Sequence, residues 1–189
     1  MTSRAPWRVA VVATLALTQA CQAPNEVSDA SRVERLTETF FTLCPIGGDA
    51  ARFQQGIADL RGRQGVTVTE AGGPGSYELN WGGEVIDVAF MENPVMTLCG
   101  MRFRPAPLLT QSISTRLGRE PSRDAGDGLI SWAVTNDHVA SIEYQNLTAR
   151  GIPYRPASPA EQAIGMNIGF GDAIMLIEHK APAAGIGLN

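Results

Sequence analysis

The chain has 189 residues, 44% hydrophobic and 18% charged, enough for one globular domain with a real core and short appendages. Arg4 and Arg8 account for the only charges in the first 20 residues, so the remainder sets 13 basic groups against 19 acidic ones. This acidity disfavours nucleic acid as a partner, because phosphate-backbone affinity comes from clustered Lys and Arg, and a single lysine, Lys180, leaves little room for lysine-based covalent chemistry.

The N-terminus reads as an export signal. Arg4 and Arg8 precede ten apolar or small residues, Val9 to Thr18, and then Gln19-Ala20-Cys21. Ten residues at about 1.5 Å each cover only half of a hydrocarbon core about 30 Å thick, so residues 1–20 are expected to be a signal peptide and not a permanent span. The run Leu17-Thr18-Gln19-Ala20-Cys21 resembles the lipobox of bacterial lipoprotein precursors, with Ala20 in its usual place and Thr18 and Gln19 departing from the common Leu and Ala or Ser. The resemblance implies a lipid-modified Cys21 as the first mature residue, and Gln22 after it resembles the pattern sorted to the outer membrane. Residues 21–30 are then a flexible tether, too polar to fold alone.

Ser31-Arg32-Val33-Glu34 matches a capping box, and Val33, Leu36, Phe40, Leu43 and Cys44 follow on one helical face until Pro45 to Gly48 stop the run. Asp49 is expected to cap a second helix that carries Phe53, Ile57 and Leu60 inward and ends at Gly62. From Val66 the period becomes 2. Tyr77, Leu79 and Trp81 alternate with polar residues, Gly82-Gly83 offers a two-residue turn, and Ile86, Val88 and Phe90 alternate on the way back. After Glu92-Asn93-Pro94 a further strand places Thr97, Cys99, Met101 and Phe103 on one face. Pro107 opens a helix with Leu109, Ile113 and Leu117, Gly118 closes it, and residues 119–128 read as a polar loop without period.

A second hairpin runs through Ile130, Trp132 and Val134, turns at Asn136-Asp137, and returns through Ala140, Ile142 and Tyr144. Both hairpins follow a helix and carry a Trp, which suggests a diverged pseudo-repeat. Ser158-Pro159-Ala160-Glu161 starts another short helix. Ala173 to Ile177 lacks polar alternation and is expected to be an interior strand covered on both faces, and residues 181–189 form a small-residue tail, expected to be disordered.

These elements predict a single α+β domain over residues 31–180: a mostly antiparallel sheet of six or seven strands, with three or four helices packed mainly on one face. Cys44 and Cys99 both sit on expected core faces and should form one structural disulfide. Closing a loop of 55 residues stabilises a fold by about 4 kcal/mol. The pair lacks the close spacing of redox-active cysteines. Bridging them also leaves Cys21 as the odd cysteine, which favours its lipidation in an oxidising compartment.

No catalytic signature is present, and no catalytic, cofactor-binding or metal-binding residue is assigned. His138 and His179 are the only histidines, too few for an ordinary zinc site once the cysteines are bridged. Asp137-His138 falls in a hairpin turn, where turn geometry alone favours Asp. Glu178-His179 ends a strand. Gly72 to Gly75 leads into a strand and not a helix, and Gly165, Gly169 and Gly171 do not match the dinucleotide fingerprint. Arg102 and Arg104 share the face opposite Cys99, as a solvated pair or an anion site, and Trp81, Trp132, Tyr77 and Tyr144 are core or binding surface.

The leading expectation is a non-catalytic exported protein of the periplasm or outer membrane, held to the membrane by lipid at Cys21, that binds an envelope protein or another envelope component. The alternatives are a secreted hydrolase combining His138 with Glu84, Asp87 or Glu143, and a small-ligand binding domain with a pocket between helices and sheet.

Overall fold

A computed structural model describes residues 29–135, 139–155 and 171–180. The helix α1 spans Asp29–Leu43 and α2 spans Ala50–Arg61. Four strands follow, β1 Val66–Glu70, β2 Ser76–Trp81, β3 Glu84–Glu92 and β4 Met96–Phe103. Then come α3 Leu109–Leu117 and four more strands, β5 Arg123–Asp124, β6 Leu129–Ala133, β7 Ala140–Gln145 and β8 Asp172–His179.

All eight strands form one antiparallel sheet in the order β1-β2-β3-β4-β8-β7-β6-β5. Two helices thus precede the first four-stranded meander and one precedes the second, and the two meanders join where β4 pairs with β8. The α+β class and the antiparallel sheet agree with the sequence. The strand count does not: eight replaces six or seven. The additional strand is β5, only two residues long, inside the polar segment 119–128. Alternation needs a longer run to show, and β5 is held by its pairing with β6 and by Ser122, whose backbone N and Oγ both donate to Ser131 O at 2.8 and 3.0 Å.

The local signals explain most element ends. Asp49 Oδ1 accepts from Arg52 N at 2.9 Å and caps α2. Gly118 closes α3 in the left-handed conformation that a side chain would resist. Gly82 and Gly83, both with positive φ, set Trp81 opposite Glu84. The first helix differs from expectation. It starts at Asp29, an acid in the turn where the helix dipole favours one, so Ser31 lies inside the helix and not at its cap. The expected helix at Ser158 and the tail 181–189 lie outside the described residues.

The three helices cover one face of the sheet. α1 packs against α2 on one side and α3 on the other, and its C-terminal end meets β4. There the Cys44–Cys99 disulfide ties it down, with an S–S distance of 1.98 Å and a Cα–Cα distance of 5.5 Å. One buried cluster runs from Leu36, Phe40 and Phe53 through Leu79, Met101 and Leu176 to Ile113 and Trp132. Each such side chain contributes roughly 1.5–3 kcal/mol when fully buried.

Buried polar groups tie α1 to the first meander and the connection after β4 to the second. Arg32 on α1 donates to Glu84 of β3 and to the carbonyls of Arg104 (2.7 Å) and Pro105 (2.8 Å) that follow β4. Asp172, at the start of β8 and 1% exposed, accepts from Tyr144 Oη of β7 at 2.5 Å, Leu147 N at 3.1 Å and Ala106 N at 3.3 Å. Burying these groups is tolerable because each finds partners.

Candidate functional site: the open face of the sheet

Side chains alternate across a strand, so every residue that points away from the helices lands on the other face. The strand pairings line these residues up in rows. One row reads Thr69, Glu78, Asp87, Arg102, Ala173, Gln145 and Leu129 from β1 to β6. The next reads Ser76, Ala89, Gly100, Met175, Glu143 and Ser131. A third places Met91, Leu98, Ile177, Ser141 and Ala133 side by side.

Here the expectation for residues 173–177 is corrected. β8 is interior to the sheet, between β4 and β7, yet only Ile174 and Leu176 are buried. Ala173, Met175 and Ile177 face the open side and remain partly exposed. These apolar side chains belong to a surface.

On that surface, over β2, β3, β4 and β8, lies a groove of about 570 Å³. Its volume falls within the range of small-molecule pockets. The floor is apolar: Ala89, Leu98, Ala173 and Met175 surround Gly100. A Cβ at Gly100 would sit 2.9 Å from Met175 Cγ and 3.0 Å from Ile174 O, so the glycine is what lets Met175 lie flat across β4. The rim carries charge. Arg102 donates Nε and Nη2 to Asp87 Oδ2 at 3.0 and 2.7 Å, Glu78 stands beside them on β2, and the β1–β2 turn closes that edge. Tyr154 lies in the field of this corner: burial raises its hydroxyl above the ordinary tyrosine range, Arg104 and Arg102 lower it, and Asp87 and Glu84 raise it.

The groove lies on the face opposite the helices, whereas the expected pocket was placed between helices and sheet, the layer in which the described core side chains pack. The carboxylates of the hydrolase reading are not brought together. Glu84 is buried on the helix face with Arg32, and Asp87 and Glu143 lie three strands apart on the open face, about 14 Å at sheet spacing. Asp137 and His138 lie outside the described residues. His179 is exposed at the end of β8, while Glu178 accepts from Gly47 N at 2.7 Å and Lys180 pairs with Glu92 at 2.6 Å. Among the described residues no three His, Cys, Asp or Glu side chains gather as metal ligands, and no helix is long and apolar enough to cross a membrane.

The aromatics divide. Trp132, Tyr144 and Tyr77 are core, and Trp132 Nε1 donates to Ser114 Oγ at 3.0 Å. Trp81 is half-buried under the guanidinium groups of Arg35 and Arg63, at 5.6 and 5.8 Å from the ring centre. Arg102 is a partner of Asp87, and Arg104 contributes its carbonyl to Arg32. Gly72 and Gly75 make a turn, both with positive φ, at the groove's edge.

No protein-family model matches the chain, and no curated protein or solved structure matches it either. The groove was missed in the sequence because its floor comes from three strands, β3, β4 and β8, in two meanders. One signal was available. Counting outward from the Gly82-Gly83 turn pairs Glu78 with Asp87, two like charges side by side on a half-apolar face.

Proposed function

We propose that this chain is an exported protein of the bacterial cell envelope, anchored by lipid at Cys21, that works without catalysis and binds an envelope component in the groove on the open face of its sheet. The groove carries the reading. An apolar floor flanked by a few polar groups is how binding pockets are built, and nothing in the described fold covers it with a helix. The Cys44–Cys99 bridge supports the export half of the reading, since disulfides persist in oxidising compartments. The absence of a dedicated set of acid, base and nucleophile in the groove motivates the non-catalytic half.

Metabolic labelling with a fatty-acid probe tests the anchor: wild type should be labelled and Cys21→Ser should not, and equal labelling or none would refute it. An apolar fluorescent dye tests the groove. Nile red should bind the folded wild type and lose affinity in Ala89→Arg, which places a charge on the floor. Unchanged binding in a folded variant would refute the groove.

A further inference from the structure

The charges around the groove are unbalanced in a way that specifies its ligand. Within the row that crosses it, Arg102 is engaged by Asp87 on its β3 side. Asp87 is in turn directly opposite Glu78 on β2, a like-charge cross-strand pair of the kind that destabilises a sheet. Glu78 is partly buried, lines the groove, and has no hydrogen-bond or ion-pair partner among the described residues. Glu70, which pairs with Tyr77, points to the helix side and meets Arg61 of α2 at 3.9 Å, so it adds no charge to the groove. Beside the Asp87–Arg102 ion pair the groove therefore presents one further carboxylate, Glu78, above an apolar floor.

A neutral donor could bond Glu78 but would leave its repulsion with Asp87 in place, and an anionic ligand would add a second repulsion. A cation both pairs Glu78 and offsets that repulsion. On the reading that this groove is the binding site, we propose that it selects a small apolar ligand carrying one positive charge, an amine or guanidinium, whose charged head Glu78 receives while its apolar body lies on Ala89, Gly100 and Met175. The cavity volume suits a molecule of that size and not a folded partner.

Three probes with the same ten-carbon chain separate charge from apolar contact: decylamine, decanoate and decyl glucoside, each below its micelle concentration. They are titrated into the isotope-labelled Cys21→Ser protein expressed from the full-length sequence, and backbone amide shifts are followed by NMR. Decylamine should shift the amides of Glu78, Ala89 and Gly100 and bind at least about tenfold more tightly than decanoate, with the glucoside between them. Glu78→Gln should bring decylamine to within about threefold of the glucoside. In the wild-type protein, added salt should weaken decylamine and leave the glucoside unchanged, a readout that does not depend on the variant folding. Equal binding of decylamine and decanoate, or selectivity that survives Glu78→Gln or high salt, overturns the charge assignment and leaves the groove standing. No groove shifts with any probe overturns both.

Discussion

Arg32 forks onto Glu84 across 52 residues of sequence, donating Nε to Oε2 at 2.7 Å and Nη2 to Oε1 at 2.5 Å, with the two side chains only 9% and 5% exposed. Both charges have left water, so each depends on the other. Glu84→Gln would strand the guanidinium beside two carbonyls and should cost about 3–5 kcal/mol, read as a lower urea midpoint with an unchanged slope. Added salt should not reproduce the loss, because buried pairs are poorly screened.

The disulfide should contribute on a similar scale. It pins the end of α1 to β4, the strand at the junction of the two meanders, and it closes a loop of 55 residues. Replacing both cysteines by alanine should destabilise the fold by about 2–5 kcal/mol, measured by urea unfolding beside the oxidised parent. Alkylation of the unfolded, non-reduced parent should leave Cys44 and Cys99 unmodified.

Alkaline pH should weaken the fold through Tyr144. Burial, first, and its hydrogen bond to Asp172, second, raise its hydroxyl far above the ordinary range. The unfolded chain releases that proton near pH 10, about the ordinary tyrosine value, while the folded chain keeps it. Its contribution is therefore complete below about pH 10 and declines as the pH rises beyond that. Tyr154, also raised by burial, acts with the same sign. Urea midpoints between pH 8 and pH 11.5, a range of about that width around the ordinary value, should fall less steeply in Tyr144→Phe than in wild type. At neutral pH the same variant should cost about 1–3 kcal/mol, because Asp172 loses a buried donor.

Glu78 should behave in the opposite sense. Removing one of two facing carboxylates ought to stabilise the sheet, so Glu78→Gln is expected to gain roughly 0.2–1 kcal/mol, seen as a higher melting temperature at low salt that converges on wild type at high salt. A residue whose removal strengthens the fold while weakening binding marks a function paid for in stability.

What the sequence revealed follows the range of its signals. Period and turn chemistry are local, and they located α2, the Gly82-Gly83 hairpin, β4, α3, β6 and β7. The pairing of Cys44 with Cys99 was legible because each lay on an apolar face of its own element. β5 was too short to show a period. Ala173 to Ile177 read as doubly covered because an apolar run looks the same whether its second face meets a helix layer or lines a groove. Arg32 went unnoticed inside the apolar stripe of α1, although Glu84 shares the inward face of Ile86 and Val88 and already called for a cation. The groove itself depends on β4 meeting β8, a contact between residues 69 to 83 positions apart that no local pattern specifies.

The central claim, that the open face is the working surface, can be tested in the intact envelope. A photo-crosslinking amino acid is placed at Ala89 on the groove floor or, as a control, at Glu34 on the exposed side of α1, and irradiated cells are analysed by intact mass of the purified chain. A discrete adduct is expected from Ala89 and none from Glu34. No adduct at Ala89, or the same adduct from both positions, would contradict it.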